Sequence, residues 1–203
     1  SGVPATCTTP GKTAGTWCND CKEYISGGEK IAALGHSYEN GACSVCGEKE
    51  PPKYALVTDV KDLNAGDKII IVDATNCNYA LSTKQNTNNR GQVAITKDSE
   101  GKITINPETQ VITLEKVADG TFAFKVDDGY LYAASSSSNY LKTQTENNDN
   151  GYWKIDITSE GVATIKAQGK NTRNLIQYNA TSSLFSCYSS AQKSVSIYKL
   201  EET

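Results

Sequence analysis

Asp119-Gly120-Thr121-Phe122-Ala123-Phe124-Lys125-Val126 turns on a glycine and then alternates as a strand does. The arrangement recurs at Ala65-Gly66-Asp67-Lys68-Ile69-Ile70-Ile71-Val72 and at Glu160-Gly161-Val162-Ala163-Thr164-Ile165-Lys166, so the openings lie 54 and 41 residues apart. Three further short β-type runs follow each opening. The first set is Tyr79-Ala80-Leu81, Val93-Ala94-Ile95 and Val111-Ile112-Thr113-Leu114. The second is Tyr130-Leu131-Tyr132, Tyr140-Leu141-Lys142 and Tyr152-Trp153-Lys154-Ile155. The third is Asn174-Leu175-Ile176, Leu184-Phe185-Ser186 and Val195-Ser196-Ile197-Tyr198. Four strands repeated three times is the pattern of a β-trefoil over residues 54–203. A β-sandwich of similar strand count is the alternative. An extra hairpin at Lys102-Ile103-Thr104-Ile105 accounts for the longer first spacing, and no helix-period segment competes.

Upstream the composition changes at Glu48-Lys49-Glu50-Pro51-Pro52-Lys53. Two consecutive prolines favour an extended connection, so residues 51–53 read as a linker between a cysteine-rich module, 1–50, and the β domain. The whole chain is expected to be all-β. It carries a net charge of −3 and scattered Lys and Arg, which gives no footprint for nucleic acid. No apolar run reaches the length of a membrane span, so membrane insertion is not expected. With no Met anywhere, the chain is expected to be a piece of a larger protein, monomeric as that piece.

Five of the seven cysteines precede residue 47, and the others are Cys77 and Cys187. Cys18-Asn19-Asp20-Cys21 and Cys43-Ser44-Val45-Cys46 are two knuckles whose spacing lets both thiolates of a turn reach one ion. Two such knuckles make a tetrahedral sulfur site of the kind zinc prefers. Gly47 gives the second turn its backbone freedom. Cys7 and His36 are alternates, so six donors compete for four places. One solution is Cys18, Cys21, Cys43 and Cys46. A second is Cys7, Cys18, Cys21 and His36, which leaves Cys43 and Cys46 as a disulfide or half of another site. A disulfide-stapled knob without metal is the third reading. So short a segment buries little, and a structural zinc is the expected cofactor.

Ala5-Thr6-Cys7-Thr8, Gly15-Thr16-Trp17-Cys18 and Gly35-His36-Ser37-Tyr38-Glu39-Asn40-Gly41-Ala42-Cys43-Ser44-Val45-Cys46-Gly47 together resemble a repeat unit. Such zinc-ribbon-like repeats are strung between modules of large surface proteins from gut-dwelling anaerobic bacteria, and the resemblance implies a spacer. The β domain has its own likeness. Its closing strands with Trp153 and Tyr198 resemble the aromatic-ended repeats of ricin-type lectins. The Gln-x-Trp pattern of that family is absent, so its sugar-site residues are not carried over. The stretch from Arg173 to Lys199 resembles a domain at the ends of secreted gut-bacterial proteins. These resemblances imply an extracellular or cell-surface location.

Catalysis finds no support in these residues. The chain has one histidine, His36, which leaves the β domain without a base for Ser or Cys nucleophiles. Its acidic residues cluster at turns instead of forming a glycosidase pair. Cys187 reads as a packed thiol, and a Cys77–Cys187 disulfide is one option. The class left is binding. Sugars need an aromatic face for ring C–H groups, with amide or guanidinium groups beside it. Candidates are Asn89 and Arg90 in the first repeat and Asn139 and Tyr140 in the second. The third offers Arg173, Tyr178, Asn179 and Tyr188. The Ser135–Ser138 run reads as a solvated loop. The expected function is a non-catalytic carbohydrate-binding accessory module behind a metal-held spacer, with a glycan or polysaccharide as partner. The alternative is a protein–protein adhesion or purely architectural module.

Overall fold

Ile69, Ile70, Ile71 and Val72 form a continuous apolar run, which a strand carries only when both of its faces are covered. In the computed structural model, which describes residues 1–190 and 192–201, both faces are covered. Ile69 and Ile71 enter the main core with Phe122, Phe124, Trp153, Ile155, Ile165 and Ile197. Ile70 and Val72 enter a second, smaller cluster with Tyr54, Val93, Ile103 and Tyr198.

The chain divides into two compact modules, with the boundary between Pro51 and Pro52. The second module is a β-trefoil. Its first repeat contains the strands Lys68–Asp73, Tyr79–Gln85, Arg90–Ala94 and Ile112–Ala118. The second contains Thr121–Val126, Gly129–Ala133, Leu141–Gln144 and Tyr152–Ile157, and the third Ala163–Ala167, Leu175–Asn179, Leu184–Tyr188 and Val195–Leu200. The outer strands of the three repeats pair antiparallel around a closed ring of six. The registers are Ile69↔Ile112, Thr113↔Lys125, Phe122↔Trp153, Ile155↔Ile165, Ala163↔Val195 and Ile197↔Ile71. Closure removes free edges, and the side chains pointing inward fill the barrel. The glycines that open the repeats, Gly66, Gly120 and Gly161, have φ of +89°, +64° and +82°. Those values favour glycine, and this is the physical content of the threefold sequence signal.

The middle strands of each repeat pair as a hairpin, and the three hairpins meet in a triangle. Arg90 pairs with Phe185. Leu141 N–H donates to the Asn88 carbonyl at 2.9 Å, and Ser186 Oγ donates to the Asn139 carbonyl at 2.6 Å. The expected 102–105 hairpin takes a different partner. Ile103–Thr104 pairs with Lys53–Leu56, which in turn pairs with Val195–Leu200. The strand at 53–56 has no sequence signal beyond Tyr54-Ala55-Leu56. It forms because the outward-facing Ile70 and Val72 need a cover.

The first module is three two-stranded antiparallel sheets, the second nested in sequence between the strands of the first. They join Gly11–Lys12 to Lys30–Ile31, Gly15–Cys18 to Glu23–Gly27, and Tyr38–Glu39 to Ala42–Cys43. Its buried apolar side chains among the described residues are Cys7 and Cys43, while Val3, Trp17, Ile25, Leu34 and Val45 are exposed. A module with so small a core needs another source of cohesion. Among the described residues the helical segments are two 3₁₀ turns, Val60–Asp62 and Asp149–Gly151, and no helix is long and apolar enough to cross a membrane.

Candidate functional site

The cohesion of the first module converges on four side chains. Cys7, His36, Cys43 and Cys46 place their donor atoms within 4.8 Å of one another. Cys7 arrives through the bond from Gly35 N–H to its carbonyl, 3.0 Å, where Gly35 has φ +73°. The Ala42–Cys43 strand brings Cys43, and the turn closed by Gly47 N–H on the Cys43 carbonyl, 2.8 Å, brings Cys46. The Cys7 and Cys43 sulfurs are 3.8 Å apart, and Cys46 Sγ lies 3.4 Å from His36 Nδ1. Zinc–sulfur bonds of about 2.3 Å in a tetrahedron put sulfurs about 3.8 Å apart, and a sulfur and an imidazole nitrogen about 3.5 Å apart. The donor set therefore fits a zinc-like ion, and it could hold one.

The surroundings are those of a ligated group. Backbone N–H groups of Cys46 and Val45, with His36 beside them, lower the Cys43 thiol to about 5. Burial, reinforced by Cys46 and Cys43, pushes Cys7 up to about 11. His36 Nε2 lies 3.4 Å from Glu48 Oε2, and its ring stacks on Tyr38 at 5.6 Å. A carboxylate on the far nitrogen fixes which nitrogen faces the metal, so Glu48 is an orienting residue the sequence reading missed. The signal was its place two residues after the second knuckle.

The two knuckles do not form one quartet. Cys18 and Cys21 stand outside the cluster, on the turn joining Gly15–Cys18 to Glu23–Gly27, where Cys21 N–H donates to Cys18 Sγ at 3.0 Å. The pairing of donors follows the path of the chain, which two-residue spacing does not encode. The structure draws Cys7 and His36 from the alternates and leaves the first knuckle to itself. Cys18 is lowered by its bonds from the Cys21 thiol and N–H, and Cys21 is raised by the same partner.

In the trefoil the eight candidate sugar contacts divide. Arg90, Tyr178 and Tyr188 are buried at 3%, 5% and 5% exposure and serve the interior. Arg90 joins two repeats, donating to the Thr83 carbonyl at 3.2 Å, Gln110 Oε1 at 2.8 Å and Thr143 Oγ1 at 2.5 Å. Burial lowers its pKa, and Asp128 counters that shift. Tyr178 donates its hydroxyl to Gln92 Oε1 at 2.6 Å and packs on Phe185 at 4.9 Å. Tyr188 OH accepts from Asn179 Nδ2 at 3.1 Å, while Asn179 Oδ1 accepts from Ser182 N–H at 2.9 Å and closes the hairpin turn. Asn89 is half-buried in a turn, accepting from Asn86 Nδ2 at 2.8 Å. These five residues are thus held by the fold. Asn139 is exposed, and Tyr140 and Arg173 are half-exposed. The Asn139 carbonyl bonds Ser186, Arg173 bonds Ser189 Oγ at 3.0 Å, and Lys142 Nζ stands 5.7 Å from the Tyr140 ring. Both segments therefore border the 186–189 stretch where the hairpins meet. An aromatic face with amide and guanidinium groups nearby can stack on a sugar ring and bond its hydroxyls.

Both cysteines of the trefoil pack against the interior. Cys187 is fully buried, which pushes its thiol far up, and Cys77 Sγ lies 3.2 Å from Tyr198 OH. The two are not bridged. Cys77 has φ +54°, held there because the buried Asp73 carboxylate accepts N–H bonds from Asn76, Cys77, Asn78 and Tyr79 at 2.9–3.1 Å.

The second module thus belongs to the β-trefoil architecture, and solved structures agree with that assignment. The chain is similar to a Polyporus squamosus lectin solved with the human-type influenza-binding epitope Neu5Acα2-6Galβ1-4GlcNAc, at 13% identity and a TM-score of 0.50 over 69% of this chain and 50% of that one. It is similar also to a GH43 β-1,3-galactosidase, at 13% identity and a TM-score of 0.50 over 71% of this chain and 29% of that one. The chain spans half the length of the first and less than a third of the second. No family model matches the chain, and no curated protein does.

Proposed function

We propose that this chain is a carbohydrate-binding accessory module of a larger secreted or cell-surface bacterial protein, with no catalytic site of its own. Its first module is a spacer held by a structural zinc ion. The observation that carries the binding assignment is the rim where the three hairpins converge. There the half-exposed ring of Tyr140 follows Asn139, whose carbonyl meets Ser186 within the strand Leu184–Tyr188, and Arg173 bonds Ser189 just past that strand's end. Support comes also from the fold, shared with a lectin whose structure holds a sialylated trisaccharide. A trefoil domain with no histidine, with Cys187 fully buried and Cys77 against Tyr198 OH, favours recognition over chemistry.

In the first module the metal would be held by Cys7, His36, Cys43 and Cys46. When bound it supplies a rigid tetrahedral crosslink between the start of the module and its last hairpin. Four protein donors leave no place for substrate, which suits a structural role.

A glycan array with the full chain tests the binding assignment. At least one glycan class is retained, and Tyr140→Ala weakens that binding by about tenfold or more, equivalent to about 1.4 kcal/mol. No glycan bound at millimolar concentration, or a silent Tyr140→Ala, overturns it.

A further inference from the structure

The Cys18–Cys21 pair lies outside the metal cluster of its own module. It stands on a turn whose geometry is fixed. Lys22 N–H donates to the Cys18 carbonyl at 3.0 Å, with Lys22 at φ +58°, and Cys18 pairs across the strands with Glu23. Behind the turn, Trp17 meets Tyr24 edge-on at 5.0 Å, and Lys12 Nζ lies 4.0 Å above the Tyr24 ring. That contact holds together the two strands that flank the turn. Within the turn Cys21 N–H donates to Cys18 Sγ at 3.0 Å, which holds the second cysteine's backbone against the first cysteine's sulfur. Cys21 is exposed and Cys18 half-exposed, whereas Cys7 and Cys43 are buried in the cluster.

We propose that Cys18 and Cys21 form a reversible disulfide, separate from the metal site, by exchange with a low-molecular-weight disulfide such as oxidised glutathione. The Cys18 thiolate attacks one glutathione sulfur. The glutathione S–S bond breaks, a Cys18–glutathione bond forms, and one glutathione thiolate leaves. Cys21 then gives up its proton and attacks Cys18 Sγ, and the second glutathione thiolate leaves. Two protein thiols are oxidised by two electrons, one glutathione disulfide is reduced to two thiols, and the two protein protons end on those thiols. Cys18 is the attacking sulfur because the Cys21 N–H stabilises its anion. Cys21 is the resolving sulfur because the turn already holds its backbone N–H on Cys18 Sγ.

The test uses the full chain loaded with zinc and equilibrated in glutathione redox buffers, then alkylated and cut with trypsin. Cleavage after Lys12 and Lys22 releases residues 13–22, which contain Cys18 and Cys21 and no other cysteine. This peptide should lose two hydrogens at a glutathione disulfide level about tenfold below that needed to oxidise Cys7, Cys43 or Cys46. Dithiothreitol should restore it. Trp17, adjacent to Cys18, should lose fluorescence in step with bond formation. In Cys18→Ser the reaction should stop at a glutathione adduct on Cys21. The proposal is overturned if the peptide stays a dithiol while the cluster oxidises. It is overturned equally if Cys18 or Cys21 bridges to another cysteine, or if zinc protects the pair as fully as it protects Cys7.

Discussion

Replacing Arg90 with Met separates the two roles this residue was open to. As a sugar ligand it would matter for binding; as the buried bridge between Gln110 and Thr143 it matters for folding. Methionine keeps much of the stem volume, so the cavity term is small. Three acceptors lose a donor. Thr83 is exposed and Thr143 half-buried, so water replaces the guanidinium there, but Gln110 is 4% exposed and its Oε1 is stranded. A buried acceptor without a donor costs about 1–3 kcal/mol. Removing a charge that burial disfavours offsets part of the lesser losses at Thr83 and Thr143. Arg90→Met should therefore destabilise the trefoil by about 2 kcal/mol. Adding Gln110→Leu removes the stranded acceptor, and the double variant should recover at least half of that loss. Urea unfolding followed by the emission of the fully buried Trp153, in a Trp17→Phe background, reads the effect. Stability within about 0.5 kcal/mol of the parent, together with lost glycan binding, would refute the assignment of Arg90 to the interior.

Tyr178→Phe leaves Gln92 without its hydroxyl donor, and should cost about 1 kcal/mol in the same assay while glycan affinity stays unchanged. Glu48→Gln should weaken zinc binding about 10-fold or more in a chelator competition, because His36 loses its orienting carboxylate. Loading metal at neutral pH should release the proton held by Cys7, pushed up to about 11, whereas Cys43, lowered to about 5, is already ionised. Titration calorimetry in buffers of different ionisation enthalpy counts the protons released by the thiol ligands, that of Cys7 among them, and affinity should fall as pH drops towards 5 and Cys43 protonates.

Much of the trefoil was legible because its repeat signal is local. A positive-φ glycine at the start of each repeat and alternating strands after it need no knowledge of partners. The strand at Lys53–Leu56 was not legible, since its four residues acquire meaning only against the outward face of Ile70 and Val72. The metal site followed the same division. Residue types and knuckles could be read along the chain, but which donors meet depends on Gly35 bonding Cys7, a contact 28 residues apart in sequence. Among the sugar candidates, residue chemistry alone could not separate Tyr140 from Tyr178. Both are tyrosines near hairpin strands, and the hydroxyl partner of Tyr178, Gln92, comes from another repeat.

Amide chemical shifts of the ¹⁵N-labelled chain, recorded while the best glycan from the array is titrated in, test the central claim most directly. The account predicts saturable shifts confined to Asn139, Tyr140, Arg173 and the 186–189 stretch, with the first module unmoved. Shifts centred elsewhere on the trefoil, or no shifts at millimolar ligand, would contradict it.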